Sequence, residues 1–240
     1  MTKIYGFILA RGGSKRVFKK NIRNFHGRPM ISYAIDNALS SKVFDRLIVS
    51  TDCQETAQIS RKYGAEVPEL RNSELSGDNV PTIDVMASLV EQFELEGQDL
   101  ACCIYGTNPF LNPQNLQSGM KILKSEPREQ INYVSTITGY SFPPQRSLKQ
   151  TSGDCYEMAN LDFVMSRSQD LEMRFHECAQ FWWAFAETWR AKIPMQKGLR
   201  GMILPRWHQQ DIDTEEDWKE AELKYAALNL NLELRESLND

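Results

Sequence analysis

The sequence predicts an α/β fold, a mostly parallel sheet wound by helices on both faces. Short apolar runs at Ile4–Ala10, Arg46–Ser50 and Leu100–Tyr105 have the length of buried strands, and segments of helical apolar spacing separate them. The first run breaks into a loop, Arg11-Gly-Gly-Ser-Lys-Arg, that carries two glycines and several cations. In sheets of this kind, ligands bind at the carboxyl ends of strands.

The elements follow in order. After the loop, Met30–Leu39 places Ile31, Ala34, Ile35 and Ala38 on one helical face. The second strand ends at Thr51-Asp52, polar groups at the carboxyl end of the sheet. Gln54–Tyr63 reads as a helix stopped by Gly64. Glu66–Pro81 has no period, and loops that long in a domain are usually functional or disordered. Thr82–Phe93 is an amphipathic helix, Asn115–Leu123 another, and Tyr133–Ile137 a strand. Between Thr138 and Cys178 the pattern loosens into an excursion from the sheet, through a short helix or strand pair. Phe181–Phe185 is an aromatic strand; its rings either fill the core or line a pocket. Met202–Leu204 is the last strand. Thr214 and Asp217 resemble a capping box at the start of a long amphipathic helix.

The totals narrow the function. The 240 residues suit a single domain, 1–240, with 138–178 as its excursion. A net charge of −4 argues against a general nucleic-acid binder, so the basic loop is a local feature suited to a small anion. Five cysteines without C-x-x-C spacing read as reduced structural thiols of a cytoplasmic protein. No apolar stretch could span a bilayer, and the first apolar run is too short for a signal peptide.

Glycine-rich backbone can approach an anion closely, and fixed charges neutralise it, so the Arg11–Lys20 loop reads as a phosphate site or else as a solvated basic turn. It carries neither the P-loop pattern nor the dinucleotide Gly-x-Gly-x-x-Gly pattern. Polyphosphate chemistry usually needs a divalent metal, and magnesium prefers carboxylate oxygen. Asp211 and Asp213 alternate across Ile212, which in extended backbone turns both carboxylates to one side and Ile212 to the core. The other reading makes one aspartate a helix cap and leaves the second solvated.

Together these residues resemble the CMP-nonulosonate synthetases, the acidic-sugar cytidylyltransferases. The likeness rests on Ile8-Leu-Ala-Arg-Gly-Gly-Ser-Lys15 with Lys19-Lys-Asn21, on Phe44–Asp52, on Leu70-Arg71 with Glu74-Leu-Ser76 and Asp78, and on Asp211-Ile-Asp-Thr214. Tyr105-Gly-Thr-Asn-Pro-Phe-Leu111, Ser166–Glu172, and His176 followed by Gln180-Phe-Trp-Trp183 resemble the branch acting on pseudaminic acid. The resemblance implies a Rossmann-like nucleotide-diphospho-sugar transferase fold, with CTP and a nine-carbon 2-keto acid sugar giving the CMP-sugar and pyrophosphate. It also implies bound Mg2+ and a homodimer in which the excursion reaches the partner's site. Legionaminic, sialic or 3-deoxy-manno-octulosonic acid are the alternative sugars, and a non-catalytic nucleotide-binding protein is the alternative role.

The same resemblance assigns residues. Arg11 and Lys20 hold the triphosphate, with the amides of Gly12, Gly13 and Ser14. Leu9 and Ala10 lie against the cytosine. Asn21, Arg71, Asp78 and Thr82 contact the nucleotide. Tyr105, Arg167 and Gln180 face the sugar, and Asp211 and Asp213 bind the metal. Arg11, Lys20 and Asp211 are the expected catalytic groups. Phe18, where relatives carry proline, Gly77 and the bulky Cys178–Phe185 stretch depart from the pattern.

Overall fold

The computed structural model describes residues 2–237, with side chains described to residue 230. Strand β1 (Ile4–Leu9) leads through the basic loop and a small pair, β2 (Asn24–Phe25) and β3 (Arg28–Pro29), into α1 (Met30–Ser40). Then come β4 (Arg46–Ser50), α2 (Gln54–Lys62), α3 (Thr82–Gln92), β5 (Leu100–Tyr105), α4 (Pro113–Ser125) and β6 (Tyr133–Gly139). The excursion holds a short hairpin, β7 (Leu148–Gln150) and β8 (Tyr156–Met158). Strand β9 (Phe175–Phe185), α5 (Ala186–Arg190), β10 (Leu199–Ile203) and α6 (Glu215–Ser237) complete the chain.

The six-stranded sheet runs β10-β6-β9-β5-β1-β4. β1 pairs in parallel with both β4 and β5, and β10 with β6, while β9 is antiparallel to β5 and β6. The chain thus leaves β1 first to one side and later to the other. That reversal opens a crevice at the carboxyl end of β1, where the basic loop begins.

Alternating side chains build two cores. Ile8, Leu47, Val49, Cys102, Ile104, Phe181 and Trp183 face α1, α2 and α4, while Tyr5, Phe7, Ile48, Cys103, Trp182 and Ala184 face α3 and α5. Covering both faces is what makes these strands read as continuous apolar runs. Trp182 and Trp183 are fully buried on opposite faces, so the aromatic strand is core and lines no ligand cleft. The Trp183 indole donates to the Leu116 carbonyl at 3.1 Å, whereas Trp182 Nε1 has no partner among the described residues.

β9 begins six residues before the apolar run that marks it in the sequence. Ala179 has a φ of 48°, and the β6–β9 register shifts between Ser135 and Ile137. That irregularity interrupts the alternation at the point where sequence patterning loses the strand. Sheet pairing accordingly continues to Gly139 and resumes at Phe175, leaving the intervening residues outside the main sheet.

A third core docks α6 on the basic loop. Val17, Phe25, Met30, Tyr33, Phe110, Ile212 and Trp218 pack together, with Phe25 edge-on to Trp218 at 5.5 Å and Arg23 over the Trp218 ring at 4.4 Å. Thr214 and Asp217 form the capping box, the Asp217 amide donating to Thr214 Oγ1 at 3.2 Å and the Thr214 amide to Asp217 Oδ2 at 2.7 Å. All five cysteines are unpaired; burial pushes the Cys102 and Cys103 thiols far up and that of Cys178 up to about 12, so these three are inert packing groups. No helix among the described residues is long and apolar enough to cross a membrane.

Candidate active site

The crevice at the end of β1 is a cleft of about 280 Å³. Leu9 and Tyr105 close the strand ends beneath it, and Val80 and Val85 give it an apolar wall. The loop brings Arg11, Ser14, Lys15, Arg16 and Lys20 to one side, and Asp213 enters from the segment before α6. Arg71, Asp78 and Thr82 line the other side, Thr82 from the first turn of α3.

The loop is held from below. The Gly12 amide donates to Asp52 Oδ1 at 2.7 Å, and Asn21 Nδ2 donates to the Arg11 carbonyl at 2.8 Å. A Cβ on Gly12 would lie 2.6 Å from Cys53 Cβ, so only glycine fits this approach. Two expected phosphate donors are therefore already engaged. Gly12 faces Asp52, and the Ser14 amide donates to the Gly12 carbonyl at 3.0 Å. Neither Gly12 nor Gly13 lines the cleft, and Ala10 is buried behind the loop. In this geometry the anion-facing groups are chiefly side chains, where the sequence suggests amides as well.

Asp78 pairs with Arg11 and, at 2.6 Å, with Lys15. As a carboxylate it occupies the positions a phosphate oxygen would take on those two cations. It is their counter-ion here, and the two cations hold its pKa below the ordinary value. Arg71 is anchored by its amide to the Thr51 carbonyl at 2.8 Å. Burial lowers its guanidinium pKa and Asp52 opposes that.

Lys20, at the end of the loop, meets the opposite jaw, which is the aspartate pair before α6. Ile212 is fully buried, which turns its neighbours outward as alternation requires. The Lys20 ammonium donates to the Ile212 carbonyl, lies 3.6 Å from Asp213 Oδ1, and has its pKa lowered by burial against the attraction of Asp213 and Asp211. Arg16 also meets Asp213 Oδ1, at 2.9 Å. Among the described residues Asp211 has no cationic partner within ion-pair distance. Burial, and then the like charge of Asp213, raise its pKa.

Two expected sugar contacts lie elsewhere. Gln180 is fully buried, its amide donating to the His208 carbonyl at 3.0 Å and the Phe110 carbonyl at 3.4 Å. It pins two loops together and is not free for a ligand. Arg167 is exposed on the excursion and does not line the cleft. Tyr105 does line it, and burial raises the pKa of its hydroxyl. Phe18 is 75% exposed and outside the cleft. Lys15 and Arg16 are the site cations that the sequence blurs, because five basic residues share one loop and nothing in their spacing says which turn inward.

The chain matches the cytidylyltransferase family over residues 5–173. It is 34% identical to a pseudaminic acid cytidylyltransferase of Campylobacter jejuni, over 91% of this chain and 94% of that one. It is 31% identical to N-acylneuraminate cytidylyltransferase A of Danio rerio, over 91% of this chain and 50% of that one. The fold is similar to a CMP:2-keto-3-deoxy-manno-octonic acid synthetase solved with CTP, with a TM-score of 0.70 at 14% identity, covering 94% of this chain and 99% of that one. The match over residues 5–173, with 34% identity to a relative covered almost throughout, places the chain in the cytidylyltransferase family.

Proposed function

We propose that this cytidylyltransferase activates a nonulosonic acid, pseudaminic acid, by joining it to CMP with release of pyrophosphate from CTP. The observation that carries the reaction is the single cleft in which Arg11, Lys15 and Lys20 face Asp213. Relatives named for pseudaminic acid, including that of Campylobacter jejuni, support the choice of sugar.

The anomeric 2-hydroxyl oxygen bonds to the α-phosphorus as the bond to the β-phosphate oxygen breaks, and the hydroxyl proton is released. Arg11 and Lys15 exchange Asp78 for the triphosphate, and Lys20 steadies charge on the phosphoryl oxygens. Leu9 forms the floor against which the cytidine end packs, and Tyr105 lies on the sugar side.

The donor chemistry fits magnesium. Asp211 and Asp213 offer oxygen ligands on one side of a buried Ile212, and Asp211 is an unbalanced carboxylate of raised pKa. These two would hold the ion, which supplies positive charge for the phosphoryl oxygens when bound. The working form is a cytoplasmic homodimer in which the excursion, with Arg167, meets the partner's site. Its exposed Phe142, Leu148, Leu161 and Met165 support that reading.

The test is pyrophosphate release with CTP and a panel of pseudaminic, legionaminic, sialic and 3-deoxy-manno-octulosonic acids. Release with pseudaminic acid at the highest kcat/KM is expected. A higher value for another acid reassigns the sugar, and CTP binding without release by any acid overturns catalysis. Gly12→Ala, whose Cβ collides with Cys53, should displace the loop and raise KM for CTP about 10-fold or more, the equivalent of 1–3 kcal/mol of overpacking. An unchanged KM would show that the loop does not set triphosphate binding.

A further inference from the structure

Asp211 and Asp213 ride on a stretch that belongs to no sheet. Gln209 is fully extended, with φ −149° and ψ 151°, and beyond it Ile212 turns into the core between its two aspartates. An extended segment outside a ladder must find other partners for its backbone groups. Here side chains take the place of a neighbouring strand.

Each residue from Asp211 to Thr214 has a backbone group held in this way. The Asp211 carbonyl accepts from Gln210 Nε2 at 3.1 Å, and the Ile212 carbonyl accepts from Lys20. The amides of Asp213 and Thr214 both donate to Asp217 Oδ2, at 3.0 Å and 2.7 Å. Lys20 belongs to the loop and Asp217 to the cap of α6, but Gln210 needs a holder of its own.

Lys224 is that holder. Its ammonium donates to Gln210 Oε1 at 2.5 Å and to the Gln209 carbonyl at 3.3 Å, so two of its three N–H groups go to this segment. Its side chain is only 29% exposed, and Glu220 lies farther off, at 3.8 Å. Lys224 stands about two turns beyond Asp217 on the same side of α6. The helix therefore presents an anion to the segment's N–H groups and a cation to its oxygens. The Gln210 amide, 3.4 Å from Asp217 Oδ1, links the two. Buried Trp218 fixes the helix that carries both.

We propose that Gln210 and Lys224 are positioning residues for the transfer reaction: a clasp from α6 that sets the aim of the Asp211 and Asp213 carboxylates. Magnesium demands near-ideal octahedral geometry, so a carboxylate that swings loses much of its value as a ligand. Residues that orient metal ligands are typically worth 10–100-fold in metal affinity, though they never touch the ion. The role rests on the reading of the two aspartates as metal ligands, and the test separates the two.

The experiment measures the Kd of CTP by calorimetry, with no sugar acid present, once in chelator and once in Mn2+. The ratio of the two values reports how far metal and nucleotide support each other. Wild type should bind CTP more tightly in Mn2+. Lys224→Met and Gln210→Met should each lose about 10-fold of that tightening, while the Kd in chelator stays within about two-fold of wild type. The double variant should lose no more than either single one, because the two residues act as one clasp. Lys224→Arg, which keeps a cation able to reach both acceptors, should recover part of the loss.

A tightening that survives in both single variants overturns the clasp. So does a Kd that weakens equally with and without Mn2+, since the contacts would then only dock α6. Losses that add in the double variant would mean two separate effects and no clasp. Asp211→Asn serves as the control. If it retains the full tightening, or if wild type shows none, the metal reading of the aspartates fails and the clasp falls with it. If Asp211→Asn loses the tightening while Lys224→Met keeps it, the metal reading stands and the clasp alone is removed.

Discussion

Lys20→Met is expected to lower kcat/KM for pyrophosphate release about 10²–10³-fold, the loss typical when one electrostatic donor is removed from a transition state. Methionine keeps most of the aliphatic stem, so the change isolates the charge. The lysine side chain is only 18% exposed and reaches both the Ile212 carbonyl and Asp213. A buried charge in a water-poor cleft acts on a phosphoryl oxygen more strongly than a surface lysine would. The structural effect should be modest, about 1 kcal/mol for one lost hydrogen bond at Ile212. Arginine should not rescue, because its wider fork does not fit a recess shaped around one ammonium. A loss under about five-fold, with the protein folded, would remove Lys20 from the catalytic set.

Asp211→Asn should do two opposite things. Turnover should fall roughly 10³-fold, on the scale of the several kcal/mol that a carboxylate-held ion supplies. The metal-free protein should become more stable at neutral pH. The sign follows from linkage. Asp211 has its pKa raised in the folded state, first by burial and then by Asp213. Its contribution to stability is therefore full below the unfolded pKa and is lost as pH rises through the folded one. At pH 7 the ionised carboxylate opposes folding, and asparagine removes that charge. Asp211 is exposed, so solvent screening keeps this effect small and the Tm rise modest. Calorimetry after chelation at pH 7 should show the rise, and at about pH 3.5, below the ordinary aspartate pKa of about 3.9, it should vanish. A destabilised variant at pH 7 would mean that Asp211 is a structural group.

The β1 loop, the first two βα units and the aspartate pair were legible because each leaves a short-range signature. Ile8 and Val49 sit in continuous apolar runs, and Ile212 between two aspartates has only one sensible orientation. β9 was harder. A run such as Phe181–Phe185 says buried strand but carries no direction, and the irregularity at Ala179 hides its first half. Gln180 shows the limit for site residues. A glutamine satisfied by the Phe110 and His208 carbonyls is indistinguishable in sequence from one turned toward a ligand. Asp78 shows another. Its place in a loop rich in polar residues does not reveal that its partners are Arg11 and Lys15, more than sixty positions away.

The bond from Lys20 to the Ile212 carbonyl spans 192 positions, and the Val17–Trp218 core crosses the same gap. During synthesis the amino-terminal parts emerge first. β1 and its loop can therefore leave the ribosome, and the β4–β1–β5 sheet can pair, long before the jaw that faces them exists. A nascent chain in that interval carries Arg11, Lys15 and Lys20 without Asp211 or Asp213. It is an anion trap with no reaction to perform. Closing so long a loop is slow because its entropy must be given up before the contact rewards it. Competence for catalysis should accordingly be the last property a newly made molecule acquires, arriving after the bulk of its helix signal and together with burial of Trp218.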